Sequence, residues 1–282
     1  MRVEIISDAR GRGEPNEDFA AVALPDGGGA LVVLDGVGGS GVGCGHGVPW
    51  FTARLGNRLL ERSSTRTSTP LADCLAAAIE STADAHRAVC DLSHVQTPQS
   101  TVVAVRWGPE WVEYLVLSDS MLLLQSPDGT VRAVLDKPLV DLAPQVRARL
   151  DTLRRTALAL PEGSPQAGAA LREYTDANEA LRNREGGFFT AAADPAAAAH
   201  AVTGSVPRSE VQAVAALTDG AGNWVETFGL GTWADCLAVL DKEGPRGLVA
   251  RVRAAESTDM DGSAYQRDKP RDDASVVFVA FS

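Results

Sequence analysis

Apolar positions along the chain follow two periods. Alternating or short continuous apolar runs bounded by turn residues predict strands at 2–7, 18–24, 30–35, 100–107, 111–118, 120–125, 130–134, 187–191, 211–218 and 274–281. Asp-Gly in "PDGG" (25–28) and "SPDGT" (126–130) separates neighbouring runs with tight-turn chemistry, so local hairpins and an antiparallel sheet are expected. Helical spacing covers 47–62 and 71–92, where Leu71, Leu75, Ile79 and Ala83 recur every fourth position, and Thr69-Pro70 reads as a cap with proline in the first turn. Residues 141–184 read as helix, Pro/Gly loop and helix, with shorter helices at 194–202 and 232–255. Strands, two helices, a strand meander, two helices and strands again leave no run of βαβ units. The expected class is therefore α+β, a four-layer α/β/β/α sandwich of two antiparallel sheets flanked by helix pairs. It forms a single domain over 1–282, with 141–184 inserted as a helical hairpin.

Composition narrows the function. A hydrophobic share of 45% over 282 residues supplies an ample core, and no apolar run reaches the roughly 18 residues of a membrane span. "MRVEIISDARG" lacks a secretion pattern, so a cytoplasmic protein without membrane contact is expected. A net charge of −11 disfavours nucleic acid as a partner. Cys44, Cys74, Cys90 and Cys236 form no C-x-x-C pair, so reduced thiols are expected rather than a zinc cage or a disulfide framework.

The excess carboxylates sort by context. Of the five Asp-Gly pairs, those at Asp26 and Asp128 follow proline and precede a returning strand, and Asp261 lies in a polar stretch; all three read as turns. Asp35 and Asp219 instead close the apolar runs Leu31–Leu34 and Val214–Leu217. A carboxylate at the end of a buried strand costs several kcal/mol unless neutralised, and no lysine or arginine occurs between Phe19 and Ala53. Glu17 and Asp18, Asp119, and Asp272 and Asp273 also sit at strand ends. Hard oxygen donors in this number point to Mg²⁺ or Mn²⁺.

"NED" (16–18), "LDGVGG" (34–39), "STVVAV" (100–105), "LSDS" (117–120), "LTDG" (217–220) and "RDDASVVFV" (271–279) fall in the order and spacing of the metal-dependent protein serine/threonine phosphatases, type 2C or PPM. The chain resembles the bacterial-type branch, whose glycine motif lacks the histidine of eukaryotic members. The resemblance implies hydrolysis of phosphoserine and phosphothreonine in proteins by a metal-bridged hydroxide, on two Mn²⁺ or Mg²⁺ ions with a third, weaker one possible. It makes Asp35 the bridging ligand, assisted by the Gly36 carbonyl. Glu17 and Asp18 complete one ion's shell, Asp219 and Asp272 the other's, and Asp119 with Asp219 the third. Asp35 and Asp219 would act catalytically through metal-bound water, Asp273 would orient, and the hairpin 141–184 stands where the family carries a variable flap. A phosphorylated protein and a cognate serine/threonine kinase are the implied partners.

Three positions depart from the pattern. Gly13 stands where the family commonly has its phosphate-binding arginine, leaving Arg12 as the candidate and Arg10 as its rival. Val37 stands where eukaryotic members carry a histidine, and Ser118 replaces the glycine of "GDS". His46 in "GCGHG" reads with Cys44 as a helix start with a buried thiol, since one Cys and one His do not make a zinc site without partners. Phe188, Phe189, Trp107, Trp111 and Trp224 read as core. The departures leave a second expectation, a pseudophosphatase that binds phosphoproteins without turning them over.

Overall fold

Continuous apolar runs become strands buried on both faces, because each strand alternates its side chains between two hydrophobic layers. In the computed structural model, which describes every residue except 39–42, 137–141, 162, 261, 263, 266, 268 and 282, the chain divides into two compact units. One comprises Met1–Asp136 with Ala191–Ser282, the other Lys137–Thr190. Gly39, in the glycine motif, and Asp261 lie outside the described residues.

The larger unit holds two five-stranded sheets. The first runs β1 (Arg2–Asp8), β12 (Ala274–Ala280), β11 (Ala213–Leu217), β8 (Met121–Gln125) and β9 (Val131–Leu135). The second runs β10 (Val202–Pro207), β7 (Trp111–Leu117), β6 (Val102–Trp107), β3 (Gly29–Leu34) and β2 (Phe19–Ala23). A short pair, β4 (Gly36–Val37) with β5 (Gln99–Ser100), stands apart, and all these ladders are antiparallel.

Leu31, Val33, Val103 and Val116 from one sheet meet Leu122, Leu124, Val214 and Val277 from the other in a shared core. The alternate residues Leu123, Leu217, Val276 and Phe278 point the opposite way. They pack on Trp224 of α5 (Asp219–Glu226) and on Leu237, Leu240, Leu248 and Val252 of α6 (Trp233–Thr258), a helix kinked at Gly244-Pro245. On the outer side of the second sheet lie α1 (Val48–Thr65) and α2 (Leu71–His86). Gly56 lets α1 approach β2 closely, since a Cβ there would sit 2.2 Å from the Phe19 ring. The layers are helix, sheet, sheet and helix, the α+β sandwich expected from the order of elements.

The smaller unit is α3 (Pro144–Leu158) packed on α4 (Pro165–Glu179), the latter started by Ser164, whose side chain accepts from Ala167 N at 3.0 Å. No described helix is long and apolar enough to cross a membrane.

Several expectations change. Residues 187–191 are not a strand; only single bridges form there, and Phe188 is buried while Phe189 is half-buried. The strand the sequence hides is β10, pairing from Val202↔Val116 to Pro207↔Trp111. Its run "VTGSVP" is too polar to show a period, because it is a partly exposed edge whose backbone does the pairing. The Ala-rich run 194–202 forms a 3-10 helix over Pro195–His200 and then enters β10. Trp107 and Trp224 are buried, but Trp111 is 51% exposed. Thr69 does not cap α2; the helix starts after Pro70, and the Thr69 carbonyl accepts from the buried Arg106 at 3.0 Å. The turns at Asp26 and Asp128 close hairpins as read, with Gly27 and Gly129 at φ +81° and +85°.

Candidate active site

Strand ends in both sheets carry the acidic residues. Asp35 joins β3 to β4: its N–H donates to Thr101 Oγ1 at 3.1 Å, and Thr101 N donates back to the Asp35 carbonyl at 2.9 Å. Thr101 Oγ1 is in turn 2.5 Å from Ser120 Oγ. Gly36 is required by crowding, since a Cβ would lie 2.4 Å from both the Glu17 carbonyl and Val48 Cγ1.

Asp219 does not end its strand directly. β11 stops at Leu217, Thr218 intervenes, and Asp219 opens α5, where a helix N-terminus favours a carboxylate. Thr218 links three segments: its hydroxyl donates to Asp18 Oδ2 at 2.9 Å and accepts from Ser275 N at 2.9 Å, while its N–H donates to the Ser275 carbonyl at 3.0 Å.

Asp273, 3% exposed, accepts the Arg10 amide on Oδ1 at 2.7 Å and the Glu17 amide on Oδ2 at 2.9 Å, tying the loop before β2 to the start of β12. Arg10 then ion-pairs with Glu17 Oε2 at 2.9 Å. Arg12 is exposed, with no hydrogen bond or ion pair among the described residues. Asp272 carries the Lys269 ammonium on its two oxygens at 2.9 and 3.1 Å, and its carbonyl accepts from Arg253 at 2.8 Å. Asp119 is exposed between β7 and β8. The preceding Ser118 adopts φ +66°, a left-handed conformation that glycine takes without strain.

Electrostatics bind these residues into one cluster. Burial pushes Asp35 well above the usual carboxylate range, reinforced by the charges of Asp219, Asp18, Asp272 and Asp119. Burial, then Asp272 and Asp119, pushes Asp219 up to about 7. Asp18 rises to about 8, mainly through burial, with Asp219 and Asp273 adding to it and the Ser275 and Thr218 hydrogen bonds opposing. Asp18 Oδ1 and Asp219 Oδ1 are buried and accept no hydrogen bond from the described residues. Buried acceptors without partners, in a field of like charge, are what a hard divalent cation relieves, and the all-oxygen donor set suits Mn²⁺ or Mg²⁺ rather than a soft metal. The carboxylates are not drawn as tightly as a single-ion cage. Among the described residues, the set of Cys, His, Asp or Glu ligand atoms lying within 4.8 Å of one another is elsewhere, at Cys44, His46, His86 and Cys90.

The sequence reading missed Thr218 and Lys269. Thr218 carried a faint signal as the polar residue between an apolar run and Asp-Gly, whereas Lys269 had none beyond standing three residues before Asp272.

The family model of protein phosphatase 2C matches residues 7–153, just over half of the chain. No curated protein matches the chain in sequence. Among solved structures, the serine/threonine phosphatase PstP/Ppp of Mycobacterium tuberculosis is similar with a TM-score of 0.58 at 14% identity, covering 100% of this chain and 98% of that one. Stp1 of Staphylococcus aureus gives 0.55 at 12% identity, covering 99% and 94%. A serine-threonine phosphatase 2C from Toxoplasma gondii gives 0.59 at 13%, covering 99% and 94%. The chain belongs to the protein phosphatase 2C family, a class of metal-dependent protein serine/threonine phosphatases.

Proposed function

We propose that this chain is a working phosphatase that removes phosphate from phosphoserine and phosphothreonine in proteins, in the cytoplasm and opposite a cognate kinase. The observation that carries the reading is the pair of buried, unpartnered oxygens, Asp18 Oδ1 and Asp219 Oδ1, beside Asp35. Two ions, Mn²⁺ or Mg²⁺, would be held there by Asp35 and the Gly36 carbonyl, with Glu17 and Asp18 as ligands of one and Asp219 and Asp272 as ligands of the other. Asp119 with Asp219 would hold a third, weaker ion. When bound, such ions activate water and neutralise charge at phosphorus.

The chain's own residues do the rest. Asp35 and Asp219, fixed to rigid strand and helix ends, set where the ions and the phosphate sit. Asp273 acts by positioning, since it holds both amides of the loop that presents Glu17. Arg12, on that loop and unpaired among the described residues, binds and orients the phosphate, whereas Arg10 is engaged by Glu17. The helical hairpin at 141–184 is the variable insertion and selects among phosphoproteins.

The test is phosphate release from p-nitrophenyl phosphate and a phosphothreonine peptide with Mn²⁺, Mg²⁺ or EDTA, for wild type and Asp35→Asn. Metal-dependent release abolished by Asp35→Asn is expected. Tight phosphopeptide binding without release in either metal would instead favour the pseudophosphatase, a reading supported by Gly13 in place of the usual arginine.

A further inference from the structure

A second donor cluster of different chemistry lies outside the carboxylate site. Cys44 and His46 occupy the loop ahead of α1, His86 is the last residue of α2, and Cys90 follows one turn later. Cys44 Sγ is 3.3 Å from His86 Nδ1 and 3.6 Å from His46 Nδ1, and His46 Nδ1 is 3.3 Å from Cys90 Sγ. The two sulfurs are 2.7 Å apart, and both cysteines are free. All four ligand atoms fall within 4.8 Å of one another.

We propose that Cys44, His46, His86 and Cys90 form a structural zinc site that clasps the loop before α1 to the C-terminal end of α2. In a tetrahedral site with Zn–S of about 2.3 Å and Zn–N of about 2.0–2.1 Å, sulfur and nitrogen stand about 3.6 Å apart, close to the three S···N separations here. The sulfurs would have to open to about 3.8 Å by the same geometry. Two thiolates and two neutral imidazoles balance the ion's charge, and binding releases the two thiol protons to solvent. Four protein ligands leave no open coordination position, which marks a structural rather than a catalytic site.

The surroundings are those of a ligand shell. Cys44 and His86 are each 2% exposed, and the N–H groups of His46 and Gly47 donate toward Cys44 Sγ. The His46 ring stacks on Trp50 with centroids 4.3 Å apart, which fixes it although it is exposed and leaves an entry path. Asp91 N donates to the Gly43 carbonyl at 2.8 Å, so the two ligand segments already touch. Soft S₂N₂ donors select zinc, whereas the carboxylate site selects hard ions, so the two sites would fill with different metals.

The full chain purified under reducing conditions is expected to carry about one zinc per molecule by elemental analysis after brief EDTA treatment has removed Mn²⁺ and Mg²⁺. Cobalt substitution should give tetrahedral d–d bands and sulfur-to-cobalt charge transfer. His46→Ala and Cys90→Ser, at the two more accessible ligands, should keep native circular dichroism and lose zinc affinity by more than about 100-fold, beyond the loss typical of outer-shell changes. Failure of the reduced, folded wild type to bind zinc in a chelator competition overturns the proposal. So does zinc binding that both variants leave unchanged, or a mass lower by two hydrogens that maps to a Cys44–Cys90 disulfide.

Discussion

The Thr218 hydroxyl donates to Asp18 Oδ2 at 2.9 Å and at the same time accepts the Ser275 amide, so one side chain joins β11, β12 and the start of β2 beneath the carboxylate cluster. Thr218→Val keeps the shape and deletes both hydrogen bonds. Unfolding by urea should show a loss of about 1–3 kcal/mol, the penalty of buried groups left unpaired. Apparent metal affinity should fall about 10–100-fold, as for other groups that orient ligands. Thr218→Ser should recover most of both.

Stability without metal should fall as pH rises. Asp18 near 8 and Asp219 near 7 hold protons that the unfolded chain has lost above its carboxylate value of 3.8, so the folded state binds more protons across the window from about 4 to 8. Stabilisation is therefore full at the acid end of that window and lost at the alkaline end. His86, lowered by burial, acts in the opposite sense below 6.5. Melting in EDTA from pH 5 to 8.5 should show a downward slope that Asp219→Asn flattens, a comparison in which the His86 effect cancels. Added Mn²⁺ displaces those protons, so it should raise the melting temperature more at pH 8 than at pH 6.

Arg10 and Arg12 should separate kinetically. Arg12→Ala removes an exposed side chain that has no partner among the described residues, and is expected to raise KM about tenfold with little change in kcat or stability. Arg10→Ala frees Glu17 from its 2.9 Å ion pair and should weaken metal activation instead. Steady-state kinetics at varied Mn²⁺ distinguish the two.

Two glycines should resist substitution. A Cβ at Gly220 would sit 1.9 Å from the Asp273 carbonyl, and one at Gly36 would sit 2.4 Å from the Glu17 carbonyl. Gly36→Ala and Gly220→Ala each force backbone apart next to a cluster carboxylate, Asp35 and Asp219 respectively. Turnover should drop by about 100-fold, the effect of misplacing catalytic groups by around 1 Å, with a stability loss of about 1–3 kcal/mol from overpacking. Calorimetry and turnover on the same samples check both.

The sequence by itself determined the class of the fold and the acidic residues. Leu122–Leu124, Val214–Leu217 and Val276–Phe278 are apolar at every position because their strands are buried on both faces, and that pattern is local enough to read. Asp35 and Asp219 stood out for the same reason, as charges at the edge of runs that exclude charge. Only the tertiary structure decided what is joined across long separations. β10 is legible only through its partner β7, because its polar run pairs by backbone. Asp18 meets Thr218 across 200 positions, and Cys44 meets Cys90 across 46. Neither meeting leaves a periodic trace, since a ligand set is defined by distance in space and the packing of α1 against α2 and of the two sheets supplies that distance.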